Sequence, residues 1–133
     1  MNDYHTYSFE KLEVWKLARS VKKQVYSISV DFPKAEIYGL TSQIRRAAGS
    51  VSANIAEGSG RAGIADRAHF INLAYSSGME LLDHIITARD LNYLDKNKYL
   101  NLRKQLDELL NKLNAFYRYQ LKHQENLKRK FDK

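Results

Sequence analysis

Apolar residues recur at spacings of three and four through four stretches of this chain, and the pattern predicts four long helices. The first runs from about Phe9 to Ser29, with Leu12, Trp15, Ala18, Val21, Val25 and Ile28 as its stripe. Ser8 is the expected N-cap, and Tyr7 and Leu12 occupy hydrophobic-staple positions. The second runs from about Lys34, just after the only proline, Pro33, to Glu57, with Ile37, Leu40, Ile44, Ala47, Ala48, Val51 and Ile55 apolar. Gly58-Ser-Gly-Arg-Ala-Gly63 should end it in a turn. The third spans about Ile64 to Asn92. The fourth spans about Lys96 to Lys128, capped by Asp95, with Leu94 and Tyr99 in staple positions. Tyr99, Leu102, Leu106, Leu109, Leu113 and Phe116 form a heptad seam along it. No run alternates as a half-buried strand would. Short connections between long helices favour antiparallel neighbours, so the expected fold is all-α: one domain over residues 1–133, an antiparallel up-down-up-down four-helix bundle.

The second helix departs from the usual surface pattern. Between Ile37 and Glu57 its only charges are Arg45, Arg46 and Glu57, and Ala47, Ala48, Gly49, Ser50, Ser52, Ala53 and Ala56 let another backbone approach closely. Two faces of this helix therefore read as covered, where a lone bundle covers one. A polar stripe runs beside the apolar one: Gln43, Arg46, Ser50, Asn54, Glu57 and Arg61, facing Ser76, Ser77 and Glu80 of the third helix. Polar groups in such a setting need partners. The stripe is expected to be a buried network or subunit contact, with a ligand-facing groove or pore lining as the other reading.

Charge is unevenly spread. Residues 1–110 hold 15 Lys/Arg against 13 Asp/Glu, and residues 111–133 hold seven against two, so most of the net +7 sits at the C-terminal end. Lys112, Arg118, Lys122, Lys128, Arg129 and Lys130 are the candidate nucleic-acid contacts, because such an end attracts polyanions. A solubilising helix end is the plainer reading. Tyr117, Tyr119 and Phe131 lie among these cations and could stack on unpaired bases, although Phe116 and Tyr117 also continue the core seam.

Other chemistry is thinly represented. The chain has no cysteine, which excludes disulfides, thiolate metal sites and a Cys nucleophile. Glu80 and His84 share a helix face, but the second Glu-x-x-His motif of a di-iron bundle is missing, so no metal or cofactor is expected. Arg118 and His123 have the Arg-x4-His spacing of the all-helical HEPN ribonucleases, a spacing that nine arginines and four histidines produce easily by chance. The glycine-rich turn follows a helix and lacks Gly-Lys-Ser/Thr, unlike a phosphate loop. No catalytic residue is assigned. No segment is apolar enough to span a membrane, and the N-terminus lacks the order of a signal peptide, so a cytoplasmic location is expected.

The segment Gln43-Ile-Arg-Arg-Ala-Ala-Gly-Ser-Val-Ser-Ala-Asn-Ile-Ala-Glu-Gly58, followed by Gly60-Arg61, resembles the signature of the 23S rRNA intervening-sequence proteins, also called the four-helix-bundle or ribosomal-protein-like family. Phe9-x-x-Leu12-x-Val-Trp15, Phe32-Pro33-x-x-Glu36-x-x-Gly39-Leu40 and Ala74-x-Ser76-Ser77-x-x-Glu80-Leu81 support it, and the likeness covers roughly residues 8–95. The resemblance implies a bacterial bundle assembling as a five-membered ring and associated with nucleic acid, RNA ahead of DNA. Related bundles accompany diversity-generating retroelements, so an adaptor ring for an enzyme such as a reverse transcriptase is the alternative. A HEPN-like ribonuclease comes third.

Overall fold

Four long helices carry almost all of the chain: α1, Glu13–Ser29; α2, Leu40–Ser59; α3, Ile64–Asp90; and α4, Lys96–Phe131. Two 3₁₀ turns, Ser8–Lys11 and Lys34–Glu36, precede α1 and α2. The structure is a computed structural model that describes residues 3–131, with side chains described as far as His123. No strand occurs among the described residues. The chain is therefore all-α, a helical bundle.

The apolar stripes meet in one contiguous core. Val14, Ala18, Val21 and Val25 come from α1, and Ile44, Ala47, Ala48, Val51 and Ile55 from α2. Ile71, Ala74, Leu81, Ile85 and Ala88 come from α3, and Leu102, Leu106, Leu109, Leu110 and Leu113 from α4. Each fully buried Ile or Leu contributes about 1.5–3 kcal/mol relative to exposure, so these stripes are the main source of stability. The heptad seam of α4 is buried where it was expected, with Tyr99 and Phe116 half-buried at its ends.

Glycines set the closest approaches. A Cβ on Gly58 would lie 2.9 Å from Phe70 Cβ and 3.4 Å from the Arg67 carbonyl oxygen, so the end of α2 sits directly on the start of α3. A Cβ on Gly78 would lie 2.7 Å from Leu110 Cδ2, which fills that space from α4. By contrast, a Cβ on Gly49 would meet nothing within 4 Å.

The predicted helix starts need correction. The first helix does not run unbroken from Phe9: Leu12 is extended (φ −70°, ψ 129°) and separates the 3₁₀ turn from α1. This break folds Phe9 back onto Trp15, edge to face with centroids 5.1 Å apart. Ser8 is not an N-cap, because its hydroxyl lies 3.2 Å from that of Ser59 at the end of α2. Glu10 caps the turn instead, accepting from the Tyr7 N–H at 2.8 Å. Tyr7 is exposed and makes no staple.

The second helix starts at Leu40 rather than Lys34, and Ile37 is 57% exposed instead of lying in the core. Glu36 explains the delay. Its carboxylate accepts from the Leu40 N–H at 3.4 Å and from the Tyr93 hydroxyl at 3.1 Å. That anchors the connection to the α3–α4 turn and leaves residues 37–39 as a separate turn. Burial, and secondarily the Glu36 carboxylate, raises the Tyr93 pKa.

The later boundaries lie close to those expected. Asn92 adopts φ 60° after α3, with Asn92 N–H donating to Arg89 O at 3.1 Å and Tyr93 N–H to Ala88 O at 2.9 Å. This is the left-handed C-terminal stop that Asn tolerates better than most residues. Asp95 then caps α4, accepting from the Lys98 N–H at 2.8 Å. The fourth helix runs three residues past the expected end.

The close approach at Gly58 can be tested by denaturant unfolding. Gly58→Ala gains helix propensity of about 1 kcal/mol, but the new methyl meets Phe70 Cβ beside the backbone, where little can yield. Overpacking of this kind costs about 1–3 kcal/mol. The variant is expected to be less stable than the parent despite its better helix former, and equal or greater stability would show that the two helices can separate there at little cost.

Candidate nucleic-acid interface

The bundle stops before α4 does. With 36 residues at about 1.5 Å each, α4 is roughly 54 Å long, against about 40 Å for α3. Phe116 and Tyr117 still pack on the core, but Arg118, Tyr119, Leu121, Lys122 and His123 are all exposed. Gln120 between them is half-buried, and Tyr119 and Gln120 line a hollow with Ser59 of α2 and Arg67 of α3, so one side of α4 still faces the bundle here while Arg118, Lys122 and His123 face solvent. The Tyr119 and His123 rings stack in parallel, 6.1 Å between centroids. Arg118 and His123, the pair with ribonuclease-like spacing, are both exposed on this segment. The helix continues through Lys128, Arg129, Lys130 and Phe131, whose side chains lie outside those described.

Lys112 differs from the other candidate contacts. Its ammonium donates to Glu13 at 2.6 Å, and Glu108 lies 3.9 Å away. The hydrogen bond from Lys112 lowers the Glu13 pKa, and the same bond raises that of Lys112. Both charges are thus held against each other where α1 begins, and Lys112 is less available than Arg118 or Lys122.

The polar stripe of α2 is divided among several environments. Ser50 lies 2.8 Å from Ser77 of α3, hydroxyl to hydroxyl. The Asn54 amide donates to Ser50 O at 2.9 Å and to Ser50 Oγ at 3.1 Å. These three residues form a small half-buried seam between α2 and α3. Gln43 is half-buried nearer the start of α2, whereas Arg46 and Glu57 are exposed. Arg61 falls in the turn beyond α2, stacked over Phe70 at 4.4 Å and 3.8 Å from Asp66. Glu80 is exposed, with its carboxylate 3.4 Å from His84. Of the stripe and the third-helix residues expected to face it, only Ser50, Asn54 and Ser77 are therefore hydrogen-bonded to one another. No cluster of three or more metal-ligating side chains occurs among the described residues.

A basic face on α1 is absent from the sites expected from sequence. Lys16, Arg19, Ser20, Lys23, Gln24 and Ser27 line a shallow groove of about 590 Å³. Its signal was present as cations three and four apart with no acid between Val14 and Val30. Regional charge hides it, because acids elsewhere in residues 1–110 nearly balance these cations.

A family model described as 23S rRNA-intervening sequence protein matches residues 10–115. The chain belongs to this family. The match contains the α1 face and the Ser50–Asn54–Ser77 seam but ends before Arg118. A protein of unknown function from the S23 ribosomal protein family of Bacteroides thetaiotaomicron, solved by crystallography, has a TM-score of 0.71 at 19% identity. The alignment covers 78% of this chain and 97% of that one, and at this identity the likeness establishes the fold. No curated protein matches the chain.

The contribution of the seam to folding can be measured within the chain. Asn54→Leu removes two hydrogen bonds at a half-buried position and is expected to lower chain stability by about 1 kcal/mol. Glu57→Ala removes an exposed carboxylate and should change it by less than about 0.5 kcal/mol. Equal melting of both variants would show that the seam contributes nothing measurable.

Proposed function

We propose that this family member is a non-catalytic, homo-oligomeric accessory protein of the bacterial cytoplasm that binds RNA through basic surfaces. In this reading the four helices form an antiparallel up-down-up-down bundle. Contacts between α1 and α2 run in reverse order, Lys22 with Ser52 and Ser29 with Arg45, and so do Ser50 with Ser77 and Gly58 with Phe70 between α2 and α3. The observation that carries the function is the projecting end of α4, where Arg118 and Lys122 are exposed and have no ion pair among the described residues. Cations on the solvent side of α4 can approach a phosphate backbone without desolvating the core. The family description names 23S rRNA, which favours RNA over DNA as the polyanion.

Assembly, a five-membered ring in this reading, rests on α2. Its outer side presents Gly49, open to an added methyl, and exposed Ala53. Small side chains there allow another helix to approach closely, and a ring would repeat the basic end of α4 around one rim.

One set of measurements tests both parts. Light scattering is expected to give about five subunits for the parent, and Ala53→Glu, exposed within the chain, should lower the mass while helix content is retained. The parent should bind labelled RNA with an affinity that falls steeply with salt. Changing Lys122, Lys128, Arg129 and Lys130 to Gln should flatten that slope by about 0.7 for each phosphate no longer neutralised. A monomeric parent would overturn the assembly, and absence of RNA binding at low salt would overturn the function.

A further inference from the structure

The outer face of α1 carries cations that the fold leaves uncompensated. Glu13 is the only acid in α1, and it is bonded to Lys112. Lys16, Arg19 and Lys23 are exposed, and none forms an ion pair among the described residues. Lys22, the fourth cation, turns aside to donate to Ser52 on α2 at 3.2 Å. The helix dipole does not account for this placement. Cations complement the C-terminal turn of a helix, and the last turn of α1 contains none.

The residues between the cations are uncharged hydrogen-bonding groups. Ser20, Gln24 and Ser27 complete the lining of the shallow groove, and no apolar side chain lines it. Within the groove itself a protein partner would find no apolar side chain to bury, and the aromatic beside it, Trp15, is covered by Arg19 and Phe9. A sugar–phosphate backbone needs no apolar anchor. Along the helix axis Lys16 and Arg19 are about 4.5 Å apart, and Arg19 and Lys23 about 6 Å. Long, flexible Lys and Arg side chains can adjust these spacings to the phosphates of an unpaired strand.

Arg19 has a second feature. Its guanidinium lies over the Trp15 ring, 5.6 Å from the centroid, and Trp15 is in turn packed edge-on by Phe9. A guanidinium positioned on an aromatic ring offers its other side to an unpaired base. The groove also leads towards the projecting end of α4, because the first residue of α1 is bonded to Lys112, shortly before α4 leaves the bundle.

We propose that the outer face of α1 is a track for single-stranded RNA: Lys16, Arg19 and Lys23 take successive phosphates, and Ser20, Gln24 and Ser27 contact ribose hydroxyls. This assignment rests on the RNA-binding reading above and specifies where the strand lies.

Trp15 is the chain's only tryptophan, so its emission reports on this face directly. Full-length protein would be titrated with a single-stranded RNA of about 20 nucleotides at several salt concentrations. Tryptophan emission and the polarisation of labelled RNA would be followed together. The emission of Trp15 is expected to change in step with binding. Lys16→Gln, Arg19→Gln and Lys23→Gln combined should weaken binding about 100-fold at 0.1 M salt and flatten the salt slope by about 2. The exposed pair Lys34→Gln and Lys96→Gln should leave the slope near that of the parent. Circular dichroism would verify that the variants stay helical. RNA binding by the parent without any change in Trp15 emission overturns the track and leaves the RNA-binding function standing, a result that needs no variant. An α1 variant with parental affinity and slope does the same. A parent that binds no RNA removes both. Poly-glutamate matched in charge, moving Trp15 emission at the same concentrations as RNA, would assign the face to acidic proteins and overturn the choice of RNA.

Discussion

The rest of the bundle depends on how closely α2 approaches the helices beside it. Ala47, Ala48, Ser52 and Gly58 are buried and small, so α2 lies close to its partners instead of being held off by long side chains. At Gly58 the approach leaves no room for even a methyl before Phe70. The larger residues of the same helix, Ile44, Val51 and Ile55, can then reach the common core with Ile71, Leu81 and Ile85. Protein interiors pack at near-crystalline density, and here that density depends on small residues in α2 as much as on the Leu seam of α4.

This packing sorts the charges. A helix covered on its apolar face and built of small residues has little need for solvated charge, and α2 holds few. Clusters of exposed cations lie instead on the outer side of α1 and on α4 beyond Phe116. Between them, Glu13 and Lys112 hold each other where α1 begins beside α4. Both changes in pKa favour the ionised pair. The Glu13 contribution is present above its ordinary carboxylate range and is lost as pH falls through its lowered pKa. The Lys112 contribution is present below its ordinary range and is lost as pH rises through its raised pKa. Near neutrality the pair is fully formed, which leaves the α1 face and the exposed end of α4 as two places where exposed cations lie close together.

Family membership gives the fold a context. The family match includes α1 and the core of the bundle but stops short of the projecting cations. The two basic surfaces therefore differ in standing: the α1 face belongs to the shared bundle, whereas Arg118 and Lys122 lie beyond the matched region.

Periodicity alone determined much of this architecture. Four stripes of three-and-four spacing specify four helices, since only that spacing aligns Leu102, Leu106, Leu109 and Leu113 on one side of a helix. Short polar side chains and glycines at the later connections also located those boundaries well, because Asp95 acts on its own nearest turn. Tertiary structure decided what local pattern could not. Leu12 is extended, a break that lets Phe9 pack back on Trp15, and Ile37 leaves the core because Glu36 is bonded to Tyr93, 57 residues away. The polar stripe of α2 looked continuous because helical spacing reports only which residues share a side. Whether each meets a partner depends on the neighbouring helix, and α3 offers a hydroxyl to Ser50 but leaves Glu57 exposed. The same holds for charge: sequence counts cations, but only the fold shows that Lys112 is paired with Glu13 while Lys16, Arg19 and Lys23 face outward without partners among the described residues.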